Sequence, residues 1–277
     1  MIAPEGRVDL HIHTTHSDGS CSPCEVVQAA ARVKLAALAI TDHDSLSALA
    51  IARPEATRLG IELLSGIELT TEHEGRELHL LGYLFRPEDA DLASTCTSMR
   101  VRRASRIEEM VDRVTSLGLR VDLEAIRRTY PRATIGRRHL ADWLTLSGQV
   151  GDRREAFARY LGDGRAGDVP KPRVPIAEAI PLIRAAGGVA ALAHPPYDLR
   201  EQTLECFVAM GLAAIEVDGP GIAKSRRPRL VTWAERFDLV PVAGSDFHAN
   251  DRPGRWVGST TTSRDDLERL RTLTKIK

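Results

Sequence analysis

The chain has 277 residues, 43% of them hydrophobic, with 38 basic residues balanced by 38 acidic ones. That length suits one large α/β domain or two ordinary ones, and a net charge of zero argues against a wholly electrostatic nucleic-acid binder. Aromatic residues make up only 4%, so the core must rest on Ala, Val, Ile and Leu, as parallel-sheet proteins often do. No apolar run approaches membrane-spanning length. No secretory segment is read ahead of the strand-like "VDLHIH". Cys21, Cys24, Cys96 and Cys206 are too few and too scattered for a disulfide framework. A reducing, cytoplasmic location is the expectation.

Seven short apolar runs punctuate the chain in order: "VDLHIH", "LAALAITDHD", "IELLSGIE", "LHLLGYLF", "GVAALAHP", "AAIEVDGP" and "LVPVAGSDFH". Each reads as a largely buried strand followed by a polar cluster. Helical periodicity covers 23–33, 46–59, 176–186, 204–210 and 229–237. Repeated βα units of this kind predict an α/β fold close to the eightfold barrel, with an open sheet as the alternative.

Between residues 88 and 169 the rhythm breaks. "CTSMRVRRASRIEEMVDRVTSLG", "DLEAIRRTY", "GRRHLADWLTLSG" and "REAFARYLG" all read as helices, with Gly118, Gly136, Gly148 and Gly162 at stops or turns. The "VPKPRVP" run that follows cannot continue a helix and reads as a return linker. The predicted organisation is a barrel domain of residues 1–88 and 170–277, interrupted by a helical insertion of residues 89–169. Residues 100–165 hold fifteen Arg, no Lys and nine acidic residues. Arginine in such excess suits bidentate recognition of phosphate or carboxylate.

The histidines are not scattered. His11 and His13 end the first strand, His43 follows the second, His194 the fifth and His248 the seventh, while His79 lies in the fourth run. Glu68 is read as closing the third run, Asp246 precedes His248 by two, and Asp18 follows the first strand. In an α/β barrel the C-terminal strand ends form one rim, and the active site lies there. Six of the nine histidines at such places, with three carboxylates, exceed what one ion needs. They suit two or three ions with a bridging carboxylate such as Glu68. A mixed nitrogen and oxygen donor set favours manganese, iron or zinc. Clustered ions commonly clamp a phosphate and generate hydroxide for in-line attack.

Taken in order, "DLHIHTTHSDGS", "LAITDHDSLSALA", "GIELT", "HLLGY", "ALAHP" and "GSDFH" resemble the motifs of the PHP (polymerase and histidinol phosphatase) phosphoesterases. The likeness runs from Arg7 to Asn250 and is strongest to stand-alone enzymes acting on nucleoside 3′,5′-bisphosphates and short RNA 5′ ends. "GRRHLADWL" and "FARYLGDG" in the insertion support that subgroup. The resemblance implies a distorted (β/α)7 barrel with the helical insertion over its C-terminal face. It implies two or three divalent ions, Mn2+ first and Fe2+ or Zn2+ as alternatives. Their ligands would be His11, His13, Asp18, His43, Glu68, His79, His194, Asp246 and His248. The expected activity is metal-dependent hydrolysis of nucleotide phosphate monoesters, above all the 3′-phosphate of nucleoside 3′,5′-bisphosphates, with 5′→3′ trimming of short RNA. The substrate would be a small anionic phosphate ester; no membrane and no obligate protein partner are implied.

His194, itself in the ligand set, and Asp42 are the catalytic candidates, and Arg137 and His139 of "GRRH" would reach the second phosphate of the substrate. Asp44 reads as orienting an imidazole, His16 as a surface residue at the mouth, and His73 as a hairpin surface residue. Cys21 and Cys24 have no partner pair for a zinc ribbon. Ser22, Pro23 and Glu25 read instead as a helix start with a capping box. Histidinol-phosphate hydrolysis is disfavoured by the "GRRH" insertion, and a non-catalytic PHP module by the full donor set.

Overall fold

A computed structural model of the chain describes residues 6–131, 133–249 and 254–274. Arg132, one of the fifteen arginines counted above, and Asn250, the end of the resembling stretch, lie outside the described residues, as does most of the segment before "VDLHIH". The chain divides into two compact units, one of Met1–Cys96 with Arg173–Lys277, the other of Thr97–Pro172.

The first unit is a mixed α/β structure. Its elements begin with β1 (Val8–Ile12), α1 (Pro23–Arg32), β2 (Ala37–Ile40), α2 (Ser47–Leu59), β3 (Glu62–Leu64), β4 (Gly66–His73) and β5 (Arg76–Tyr83). A long helix, α3 (Ala90–Ser116), then leads into the second unit with α4 (Leu123–Thr129), α5 (Arg137–Leu146) and α6 (Arg153–Ala156). The chain returns through β6 (Val174–Pro175), α7 (Ile176–Ala185), β7 (Val189–Leu192) and α8 (Glu201–Met210). It closes with β8 (Ala214–Asp218), α9 (Arg227–Arg236), β9 (Val240–Ala243) and α10 (Arg264–Thr272). No helix among the described residues is long and apolar enough to cross a membrane.

Three departures from the expected rhythm matter. The run "IELLSGIE" is two strands, not one. β3 stops at Leu64, and β4 starts at Gly66 in a different sheet, so Glu68 stands early in a strand instead of closing one. β5 follows β4 through a two-residue hairpin turn, with His73 opposite Arg76 and both Glu74 and Gly75 at positive φ. That turn type suits the twist of an antiparallel pair and leaves no room for a crossover helix. β5 therefore runs antiparallel to both β4 and β7. The "VPKPRVP" run is not wholly a linker, because Val174 and Pro175 pair in parallel with Thr71 and Glu72. A proline is tolerated there because β6 lies at the sheet edge.

The strands form a three-stranded parallel sheet, β1-β2-β3, and a six-stranded sheet, β6-β4-β5-β7-β8-β9. Isolated bridges span the gaps between them: His43 to Glu68, Ile12 to Phe247 and Val8 to Thr262. One core serves both sheets, packing Leu10, Ala39 and Leu64 with Leu81, Ala191 and Val242. Small and branched side chains predominate, as the scarcity of aromatics requires. The helical unit has its own core, in which Ile107, Met110 and Val114 of α3 meet Ile126, Leu140 and Leu144. Gly118 and Gly148 take the left-handed conformation that ends a helix, whereas Gly136 is the extended residue before α5.

The helix start at Ser22 is as the sequence indicates. The Ser22 hydroxyl accepts the Glu25 N–H, the Glu25 carboxylate accepts the Ser22 N–H, and Pro23 takes the first turn. None of the four cysteines is in a disulfide.

Just beyond β9, the chain comes so close to β1 that a Cβ on Gly244 would sit 2.5 Å from the His11 nitrogen. Gly244→Ala is therefore expected to destabilise the fold by about 1–3 kcal/mol through overpacking at the seam between the sheets. Thermal unfolding of the purified variant measures this, and an unchanged midpoint would show that the seam can relax.

Candidate metal centre

Alternation along β1 puts His11 and His13 on one side of the strand, and both are fully buried. Their Nε2 atoms lie 3.2 Å apart. Facing them is Glu68, also with no solvent exposure. One of its oxygens, Oε2, lies 3.4 Å from His11 Nε2, 3.2 Å from His13 Nε2 and 3.0 Å from His43 Nδ1. The other, Oε1, lies 2.9 Å from His79 Nδ1 and 3.1 Å from His194 Nε2. The hairpin explains how His79 joins the cluster, because pairing His79 with Thr70 sets it two rungs from Glu68, on the same face of the sheet.

Two more carboxylates flank this centre. Asp246, at φ 45°, approaches His13 Nε2 and His248 Nδ1 at 3.4 Å each and His11 Nε2 at 3.6 Å. Asp18 Oδ1 is 3.3 Å from His248 Nε2 and 3.9 Å from His43 Nε2.

Among the described residues, donor atoms within 4.8 Å of one another form four overlapping groups. They are His13 with Asp18, His43 and His248; His11 with His13 and Asp246; His11 with Glu68 and His194; and His43 with Glu68 and His79. All nine residues singled out by strand-end reasoning are in these groups. The residues fit a cation-binding role on a further observation. Glu68 Oε2, His13 Nδ1 and His43 Nδ1 are buried with no hydrogen bond of acceptable geometry. A buried carboxylate oxygen that converges on three imidazoles without bonding to any of them is arranged for shared positive charge.

The electrostatics agree. Burial alone would raise the Glu68 carboxyl, but His43, His79 and His11 outweigh it and hold the group well below the usual carboxylate range. Burial opposes charge on His13, yet the Asp246 and Glu68 carboxylates beside it lift it to about 10. Burial likewise opposes charge on His11, and the Glu216, Glu68 and Asp246 carboxylates override it, lifting the imidazole well above its usual value. The cluster demands cations, whether protons or metals.

A set of buried acids outside the donor groups holds the loops that carry them. Asp42 is fully buried, but its carboxylate accepts the Thr14 N–H at 2.7 Å, the Thr14 hydroxyl at 2.6 Å and the Ser17 hydroxyl. Its oxygens are committed to the loop after β1, and it belongs to none of the four groups. Asp44 accepts the Thr70 N–H at 2.8 Å and hydroxyl at 3.0 Å, so it steadies β4 beside Glu68. Asp9 accepts N–H bonds from His11, Ser245 and Gly258 at 3.2, 2.9 and 2.7 Å. Burial lifts its carboxyl to about 6 even against those donors. Glu216, in the middle of β8, is not among the residues the sequence singles out; its one signal is an acid between buried apolar neighbours in the run "AAIEVDGP". His16 is buried, not at the surface, with Nδ1 2.6 Å from the Ser47 hydroxyl.

In the helical unit, Arg137 opens α5 and donates to Asp163 at 2.5 Å and to the Leu161 carbonyl at 3.3 Å. His139 is buried, its Nδ1 accepting the Gly136 N–H at 3.1 Å and its ring edge-on to Tyr130. Asp142 is paired with Arg153.

Residues 9–88 match the family model described as the PHP domain. A 5′-3′ exoribonuclease of Haemophilus influenzae is 34% identical over 256 residues, covering 91% of this chain and 92% of its own. A 3′,5′-nucleoside bisphosphate phosphatase of Chromobacterium violaceum is 35% identical over 260 residues, covering 92% and 91%. The crystal structure of a protein from Bifidobacterium adolescentis, described as a proposed metal-dependent phosphoesterase, superposes with a TM-score of 0.90 at 30% identity, covering 98% of each chain. With relatives aligned from end to end and a carboxylate-centred histidine cluster drawn from both sheets, the chain belongs to the PHP family of metal-dependent phosphoesterases.

Proposed function

We propose that the chain hydrolyses the 3′-phosphate of nucleoside 3′,5′-bisphosphates and trims short RNA from the 5′ end. The observation that carries this reading is the Glu68 carboxylate, buried among five imidazole nitrogens at 2.9–3.4 Å with Asp18 and Asp246 beside them. The activities for which the Haemophilus and Chromobacterium relatives are named support the substrate class. The nine residues of the four groups would hold two or three divalent ions, Mn2+ foremost, with Glu68 shared between ions. Fe2+ and Zn2+ suit the same donors. When bound, such ions neutralise phosphoryl oxygens and lower the pKa of water for in-line attack.

The protein's own groups supply the rest. His194 is the most open of the six imidazoles, with 30% of its side chain exposed, and is assigned to the leaving ribose oxygen through the ring nitrogen it does not give to an ion. Asp42 acts by positioning, since its hydrogen bonds fix the loop from Thr14 to Asp18. Arg137 is assigned to the second phosphate on its chemistry alone, exchanging Asp163 for a phosphate of higher charge. His139 shapes the start of α5. The finer architecture we assign is a distorted (β/α)7 barrel carrying a helical insertion, with the isolated bridges standing where continuous ladders would close the ring.

Adenosine 3′,5′-bisphosphate with Mn2+ is the test substrate. His11→Ala and Asp246→Ala should each lower kcat/KM by at least about 100-fold while the protein stays folded, since each removes a donor on which transition-state charge neutralisation depends. Absence of hydrolysis by the wild-type enzyme across Mn2+, Fe2+ and Zn2+ would overturn the reading.

Arg137→Ala should lower kcat/KM for the bisphosphate by about 10–100-fold, the worth of a charge-assisted hydrogen bond, and leave adenosine 3′-monophosphate nearly unaffected. Equal losses on both substrates would remove Arg137 from the second phosphate.

The raised pKa values of His13, about 10, and His11 mean that both imidazoles carry protons at neutral pH until a metal displaces them. Metal binding at pH 7.5 should release about two protons per chain, and apparent affinity should rise with pH. Calorimetric titration in buffers of different ionisation enthalpy counts them; binding without proton release would contradict the assignment.

A further inference from the structure

Glu216 is 2% exposed, lies on β8 and belongs to none of the four donor groups, yet both of its oxygens are spent on two members of them. Oε1 lies 2.9 Å from His11 Nδ1. Oε2 accepts the backbone N–H of His194 at 2.6 Å. A carboxylate can only accept, so the first contact requires the proton of His11 to sit on Nδ1. Once the second proton of His11 has left, Nε2 is a lone pair directed at the side where Glu68 and Asp246 lie 3.4 and 3.6 Å away.

The second contact addresses a different difficulty. His194 sits at φ 23°, a conformation unfavourable for a residue with a Cβ, and something must hold it there. Glu216 fixes its N–H from one side. Arg226 fixes the next two residues from the other, donating to the Pro195 carbonyl at 2.6 Å and the Pro196 carbonyl at 2.7 Å.

We propose that Glu216 is a positioning residue serving two metal ligands at once, setting the tautomer of His11 through one oxygen and the strained backbone of His194 through the other. The inference rests on the metal-binding reading above. His11 and His194 share the group completed by Glu68, and His11 also serves the group with His13 and Asp246. Glu216 therefore governs those two groups. The group of His13, Asp18, His43 and His248 contains neither of its clients. An acid buried in β8 thus tunes part of the site and leaves another part alone.

Glu216→Gln separates these roles, because an amide of the same shape offers one acceptor to two N–H donors. If its NH2 faces His11, the imidazole must move its proton to Nε2, the nitrogen the metal needs. If the NH2 faces His194, a buried N–H loses its acceptor where the backbone is already strained. Calorimetric titration of wild type and variant with Mn2+, with metal content measured after dialysis, is the experiment. The expected result is a fall of about 10–100-fold in affinity at the dependent sites, with an ion still held at the group of His13, Asp18, His43 and His248. A folded variant that matches wild type in affinity and stoichiometry overturns the proposal while leaving metal binding intact. A wild-type protein that binds no divalent ion overturns both.

Should Glu216→Gln fail to fold, long-range 1H–15N spectra of the zinc-loaded wild-type protein decide the question. A proton on His11 Nδ1 is expected. Zinc on that nitrogen, or a proton on Nε2, refutes the assignment.

Discussion

A carboxylate with no access to water, Glu68, is the constraint on which the rest of the first unit depends. Ionised and isolated, such a group would cost several kcal/mol. Here it is ringed by imidazoles from β1, β5 and the loops after β2 and β7, so its compensation is drawn from distant parts of the chain. The fold must deliver each imidazole to within hydrogen-bonding distance. The buried acids Asp9, Asp42, Asp44 and Glu216 show how this is done. None is in a donor group, and each accepts hydrogen bonds from a loop or strand that carries one. The centre is thus two nested sets of carboxylates. The inner set faces imidazoles, and the outer set faces backbone N–H groups, hydroxyls and, through Glu216, the far nitrogen of His11.

This division explains what could be read from the sequence and what could not. Histidines spaced by two at the end of an apolar run announce themselves, because an imidazole in a buried strand needs a reason. His11, His13 and His248 are legible on that ground, and the structure brings them together with the other six residues. Direction is not legible. "TDHD" offers two acids beside His43, and nothing in the string reveals that Asp42 turns to Thr14 and Ser17 while Asp44 turns to Thr70. Glu216 is nearly silent for the opposite reason. It is a buried acid between the apolar residues Ile215 and Val217, and its partners are 205 and 22 residues away. In "GRRH" the residue types suit phosphate recognition, but local pairing decides where they spend their hydrogen bonds, and His139 spends one on the Gly136 N–H.

The architecture shows the same limit. Helix positions were readable from periodicity and from caps such as Ser22, because those signals are local. Strand partners were not, since the pairing of β4 with β5 depends on a turn of Glu74 and Gly75 whose geometry outweighs the βα rhythm on either side. That hairpin has a chemical result: it brings His79 in from a strand running the opposite way, which a purely parallel arrangement could not do.

The seam between the sheets has a bearing on how the protein comes to exist. Val8 pairs with Thr262, and the His13 N–H bonds to the Phe247 carbonyl. The strand that supplies the first two imidazoles thus waits for partners from the far end of the sequence. Contacts of such separation carry a large loop-closure entropy and form late. During synthesis, β1 emerges with its histidines long before the segment that secures them. The centre must then be one of the last parts of the molecule to become whole, and a chain halted before residue 244 would present loose imidazoles and acids to any cation it met, without the geometry to choose among them.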